Sequence, residues 1–310
     1  MRSTTRIALT GFGAVHPDGM GPVSGALRST ARLGDAEEVV PGTWRRTVAQ
    51  STLDPWLPPA GRRRLDHLAQ MAVAAVRAAL ADRGPILVSS PPGLFVNTLF
   101  GSATAVARLM ASAGDPDGVV SPLLFPGVVA NQAAGQAAAA EGLTGPSTVF
   151  GGHGAFEYAC LQLMAGRIST AVVLGLDDIS PLLARVLARS GMRLGAPAPA
   201  PQLLTEAAAA LVLETEAHAQ LCGAHARVWV APEWQDAPSG AHLDSRAWDA
   251  TWGFSAAAWL PLAVGTLAAS GIKAPAALQA ADPLRPGVTW VRVAPAGRSA
   301  ARPSALGVAL

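Results

Sequence analysis

Lysine is almost missing from this chain of 310 residues: Lys273 stands alone, and arginine carries nearly all the positive charge. Charged residues are scarce, at 14%, and 23 basic side chains against 21 acidic ones leave a net charge of only +2. No basic stripe with interleaved aromatics is present, so a nucleic-acid partner is not expected. Cysteine is reduced to Cys160 and Cys222. Two thiols without metal-type spacing offer neither a disulfide framework nor a zinc site, and a reducing cytoplasm is the simplest setting. Long apolar runs are lacking too. Met1 to Arg6 leads into only a short apolar stretch, which is not the apolar region of a secretion signal. The most apolar segment, Phe254 to Ala269, contains Pro261 and falls short of the roughly 18 residues that a membrane helix needs.

Half of the chain, 50%, is hydrophobic, which allows a large core and excludes disorder. Strand-like runs alternate with helix-like ones. Ile7 to Thr10, Ile86 to Val88, Leu94 to Val96, Thr148 to Phe150, Ala171 to Gly175, Ala207 to Leu213, Ala226 to Val230, Val288 to Val293 and Leu306 to Ala309 read as strands. Arg62 to Arg83, Ala103 to Ala113, Val129 to Gly142, Ala155 to Ala165 and most of Trp248 to Ser270 read as helices, and Glu214 to Cys222 as a helix or turn. Gly84-Pro85 stops the first helix. Strands without polar alternation are covered on both faces, so the pattern predicts an α/β fold around a buried sheet. Gly191 to Pro201 reads as a surface loop.

The densest signal is Gly145 to Ala159. It reads as a turn, a short strand, a glycine-rich elbow and a helix, with His153 held at the helix start. A helix N-terminus is where an activated nucleophile is usually displayed. His16, His67, His218 and His225 share no metal-type spacing, so surface or capping roles are expected, and no metal or cofactor is called for. Gly11-Phe12-Gly13 is a weak phosphate-loop signal, because no ribose-binding acid follows.

The elbow resembles that of β-ketoacyl synthases, GPS-x-T-V-x-T-A-C-S-S-G, with histidine in place of cysteine. Six more segments resemble the family in the same order: Leu9 to Gly19 (V-T-G-x-G-x-V-x-P-x-G), Arg63 to Ala72 (R-R-M-D-R-x-x-Q-x-A), Gly93 to Gly101, Phe125-Pro126 with Ala130 to Gln136, Ala165 to Asp177, and Glu206 to Glu214 (E-G-A-A-A-L-V-L-E). The resemblance covers about residues 7 to 231 and implies a thiolase-like fold of five layers, αβαβα, with a shortened second half. The expected division is a ketosynthase-like half, 1–231, and a reduced half, 232–310, within one fold.

The family's reaction needs an acylated thiolate and two histidines that assist malonyl decarboxylation. Here His153 holds the thiolate position, and acyl-imidazoles hydrolyse too readily to store a growing chain. Cys160 lies two helical turns past the elbow and reads as core packing. The resemblance places one histidine near His242, which reads as a loop residue, and the other near Trp252, where none exists. It therefore implies a subunit without condensing activity of its own, close in role to the chain-length factors of type II polyketide synthases. Such subunits pair with an active ketosynthase, shape the acyl tunnel, and meet an acyl carrier protein bearing a phosphopantetheine-bound chain. Phe100, Ala103, Ala107, Met110, Phe125, Thr148, Val149 and Phe150 are the expected tunnel and partner residues. The alternatives are a diverged acyltransferase or thioester hydrolase using His153, and a carrier-protein binding scaffold.

Overall fold

A computed structural model describes residues 5–23, 35–57, 65–85, 91–114, 122–191, 202–233, 242–244, 254–281 and 288–296. The chain opens with β1 (Ile7–His16), buried along its whole length, and β2 (Gly19–Met20) folds back on its end. The parallel strands β5 (Gly93–Thr98), β6 (Ser147–Gly151) and β7 (Thr170–Asp177) form one end of the main sheet. The antiparallel strand β9 (Ala207–Thr215) joins β7 to β1. On its other edge β1 pairs with β10 (Val228–Glu233), which leads to β13 (Val288–Pro295), β12 (Ala276–Ala281) and β11 (His242–Asp244). The result is a ten-stranded sheet of order β11-β12-β13-β10-β1-β9-β7-β5-β6. A second sheet of three strands joins β3 (Glu37–Val40), β4 (Thr43–Arg46) and β8 (Gln202–Thr205).

The helices are α1 (Gln50–Leu53), α2 (His67–Arg83), α3 (Ala103–Ala113), α4 (Gln132–Glu141), α5 (Gly154–Met164), α6 (Pro181–Ser190), α7 (Glu216–Leu221) and α8 (Ala256–Ser270). Asp66 caps α2 by accepting the Ala69 N–H at 2.8 Å, and Gly84 at φ +83° ends it, as the Gly-Pro pair predicts. On either side of β1 the sheet has two wings, a first of β9, β7, β5 and β6 and a second of β10, β13, β12 and β11; helices α2 and α4 cover one face of the first, where Met71 and Val76 meet Val172, Leu174 and Val212. Helices α5 and α8 lie in the middle. Their Phe156, Leu163, Trp259 and Leu262 pack with Phe95, Val173 and Leu211 of the first wing and with Leu278, Val291 and Val293 of the second. Glycine permits this closeness: a Cβ on Gly175 of β7 would stand 2.0 Å from the Ala257 carbonyl oxygen of α8.

The expected thiolase-like α/β architecture is present. Among the described residues it shows as helix, sheet, helix, sheet, with no helix on the outer face of the second wing. None of these helices is long and apolar enough to cross a membrane.

Several boundaries differ from the sequence reading. β1 runs six residues past Thr10 through the glycine pair, because Gly11 and Gly13 let α2 press on the strand: a Cβ on either would stand 2.4 Å from an α2 carbonyl oxygen. α2 starts at His67 rather than Arg62, where the Asp66 cap sets its end. α4 starts at Gln132 rather than Val129, and α8 at Ala256, where Ser255 caps it. His242 is a strand residue in β11, not a loop residue, because it pairs in register with Ala277. The strand at Ile86 to Val88, the closing strand at Leu306 to Ala309, the loop after Gly191 and the helical start at Trp248 lie outside the described residues.

The sheet's interior holds one charged knot. Arg83 at the end of α2 donates to both oxygens of Glu214, at 3.0 and 2.7 Å, and Thr10 adds a third hydrogen bond. His218 approaches the same carboxylate at 3.5 Å, and Glu214 is fully buried.

Candidate functional site

The elbow follows from strand β6 meeting helix α5 in two residues. Gly152 has φ +107°, a conformation only glycine adopts without strain, and it turns the chain sharply. His153 is then the N-cap of α5. Two bonds to β5 fix the turn: the Gly152 N–H donates to the Thr98 carbonyl at 3.0 Å, and the Ala155 N–H donates to Oδ1 of buried Asn97 at 2.8 Å. Behind the elbow Tyr158 packs on Phe95 and Phe150, with ring centroids 5.5 and 5.4 Å apart. His153 is half-buried and does not cap α5 with its side chain.

Asp177 organises the neighbouring loop. Its carboxylate, fully inside, accepts from the Thr98 hydroxyl at 2.7 Å, from the Leu99 N–H at 3.0 Å and from the Phe100 N–H at 2.9 Å. Burial pushes its pKa up, against these hydrogen bonds and one from Ser255. Asn97 and Asp177 are positioning residues that the sequence reading did not single out. The signal was there: Asn97 is the one amide side chain in β5 and Asp177 the one charged residue in β7.

Cys160 does not substitute for a thiolate nucleophile. It is fully buried on α5, and burial pushes its thiol up, with the nearby Glu157 charge adding to the shift. The other described histidines are engaged elsewhere: His67 with Glu206, His218 with Glu214 and Cys222, and His16 beside Asp18. His225 is exposed. Trp252 lies outside the described residues.

The expected partner residues fall into two environments. Phe100 packs against the small cluster of Ile179, Ala184, Leu187 and Leu204 in its own chain. The others lie on two surfaces, the end strand of the sheet and α3 with the turn beside it. Among the described residues β6 is the last strand in the order, and its Thr148, Val149 and Phe150 are half-buried. Packed on the Pro122–Val128 turn and α6, α3 is apolar yet buries none of its residues: Ala103 and Ala107 are half-buried, and Met110 is 69% exposed. Phe125 at 56% and Val129 at 50% extend this surface. An unpaired strand edge and a patch of exposed apolar side chains are each an aggregation hazard unless something covers them.

A second polar cluster sits on the α2 side of β7. His67 Nε2 lies 2.9 Å from Glu206 Oε2, and the carboxylate raises the imidazole pKa against the opposing effect of burial. Asp178 is pushed up to about 7, by burial first and then by the Glu206 charge. Both shifts slope stability the same way. The folded-state His67 gains from its proton, so its contribution is full below 6.5 and is lost as pH rises through the raised folded value. Folded Asp178 keeps a proton that the unfolded chain gives up near 3.8, so stability falls between about pH 4 and 7 and is flat above. Chemical denaturation across this range should show falling stability, and Asp178→Asn should flatten the part between pH 5 and 7. An unchanged slope in that variant would refute the assignment.

These features, a thiolase-like fold with an elbow at the end of β6, define a class. A family model for the β-ketoacyl synthase N-terminal domain matches residues 4–219, and the chain belongs to that family. No curated protein matches it. Among solved structures it is similar to the ishigamide ketosynthase/chain length factor, with 18% identity, a TM-score of 0.69, and 93% of this chain and 98% of that one covered. It is also similar to a chain of AntDE:AntF, a type II polyketide synthase acyl-carrier protein in complex with its ketosynthase bound to the hexaketide. That match has 18% identity, a TM-score of 0.71, and 94% and 100% coverage. A β-ketoacyl synthase from Burkholderia phymatum STM815 matches at 16% identity and a TM-score of 0.65, with 94% and 99% covered. At such identities the likeness is one of fold.

Proposed function

We propose that the chain is a catalytically inactive chain-length-factor-like subunit of a β-ketoacyl synthase in type II polyketide or fatty-acid-like biosynthesis. It pairs with an active, cysteine-bearing ketosynthase, and the two together hold the growing acyl chain. The observation that carries this reading is β6, which ends the sheet among the described residues with one edge unpaired; α3, an apolar helix that buries none of its residues, is a second surface left for a partner. A partner sheet added along β6 would cover that edge. The elbow supports the same reading: its geometry is kept, while imidazole stands where the chemistry needs a thiolate. Thr148, Val149 and Phe150 would line the junction, with Ala103, Ala107, Met110 and Phe125 toward the tunnel. An acyl carrier protein would present substrate to the pair transiently.

Co-expression tests the pairing. The tagged chain alone should be insoluble or aggregated, and it should co-purify one-to-one with an intact ketosynthase from its own biosynthetic set. A stable monomer that ignores every such ketosynthase would refute the proposal.

A further inference from the structure

A cavity of about 320 Å3 opens where the small sheet, α2, α3 and α6 meet, on the α2 side of β7. Its innermost groups are the carboxyls of Asp178 and Glu206, each 4% exposed. Glu206 is fully matched: it accepts from the Val48 N–H at 2.8 Å, from the Ile179 N–H at 3.1 Å and from His67 at 2.9 Å. Asp178 is not, because its Oδ1 is buried with no hydrogen-bond partner. The Thr104 hydroxyl faces the same carboxyl without closing a hydrogen bond of good geometry and has no other partner. The surrounding charges compensate only in part: His67 favours the ionised Asp178 but is hydrogen-bonded to Glu206, whose own charge opposes it. Arg45 is held by Glu37 at 2.6 Å, Asp66 caps α2, and Asp177 is committed to the loop at Phe100.

A buried carboxyl with an unmatched oxygen costs stability, and such a group facing a cavity marks a ligand position. The matching group is a hydrogen-bond donor of positive charge, and a primary ammonium brings three donors. The outer part of the cavity has the opposite preference. Exposed Arg108 and the first turns of α3 and α6, at Thr104 and Pro181, favour an anion there. The volume is at the lower end of small-molecule sites, which admits only a short ligand.

We propose that this cavity binds a short ω-amino acid, its ammonium on Asp178 and Thr104 and its carboxylate toward Arg108. The site lies apart from the elbow and from β6, but its Thr104 and Arg108 belong to α3, whose Ala103, Ala107 and Met110 the proposed pairing would use, so titration of the chain with and without a ketosynthase distinguishes the two readings.

The test is calorimetric titration of the purified protein, in the assembly it forms, near pH 8 with β-alanine, propylamine and propionate. β-Alanine should bind at least about tenfold more tightly than either one-armed analogue. Asp178→Asn should raise the unfolding temperature at that pH while weakening β-alanine at least about tenfold, because it removes the buried charge that the ligand uses. Arg108→Ala should weaken β-alanine and leave propylamine unchanged. Binding should weaken from about pH 8 to pH 6 as Asp178 takes up a proton, with Glu206, His67, Asp177, Asp66, Arg45 and Arg108 setting the surrounding field. Any of three results would overturn the proposal: no β-alanine binding, meaning a cavity that holds water alone; propionate binding as well as β-alanine; or unchanged affinity in Asp178→Asn.

Discussion

Val149→Pro should leave the chain folded and destroy its association with a ketosynthase. The alternation of the ladder explains why one substitution separates the two. Leu94 donates to the Pro146 carbonyl and Gly152 donates to the Thr98 carbonyl, so the bonds from β6 to β5 fall on Thr148, Phe150 and Gly152. The Val149 N–H therefore points away from β5, toward the open edge. Proline is tolerated on edge strands where the lost donor faces outward. A partner strand, by contrast, would lose a ladder bond and meet the ring. The cost to pairing should be about 3 kcal/mol or more, roughly a hundredfold in affinity. Analytical ultracentrifugation of the co-expressed pair would show it. Retained association would place the partner elsewhere, and loss of the far-ultraviolet helix signal would mean that the strand's edge role is misassigned.

Arg83→Met should cost the fold about 3–5 kcal/mol, among the largest effects expected of any single substitution here. It strips the guanidinium from a carboxylate that is fully buried and leaves Glu214 with Thr10 and the more distant His218. The cost comes from an uncompensated charge, not from lost packing, since methionine keeps much of the stem's volume. Removing both charges should therefore recover most of the loss: Arg83→Met with Glu214→Leu should be more stable than Arg83→Met alone. Urea unfolding of the three variants decides this. A double variant no better than the single one would show that the ion pair itself, and not the desolvated carboxylate, controls stability.

Much of this fold is written locally in the sequence. The three- and four-residue spacing of α2, the Gly-Pro stop at Gly84 and the apolar runs of β5, β7 and β9 all sit where periodicity puts them, because each carries its signal within a few residues. The elbow was legible for the same reason, since Gly152 and the strand before it dictate the turn. Other parts were not. β3, β4 and β8 have only four residues each, too few to show a period, and β4 and β8 pair across more than 150 residues of chain. α6 carries a readable start, Ser180 followed by Pro181, that a search for apolar strands overlooks. The Asp178–Glu206–His67 cluster was invisible because its members come from three distant segments that only the tertiary fold joins. Sequence named α3 and the β6 edge as partner residues, but only burial shows that the chain itself leaves α3 uncovered.

The central claim is that this chain assists condensation without carrying the acyl group. Intact-protein mass spectrometry of the reconstituted pair, after incubation with an acyl-loaded carrier protein, tests it most directly. The acyl mass should appear on the partner ketosynthase and not on this chain, and the pair carrying His153→Ala should become acylated to the same extent. Acyl mass on this chain that disappears in His153→Ala, or turnover of the acyl thioester by this chain alone, would contradict the account.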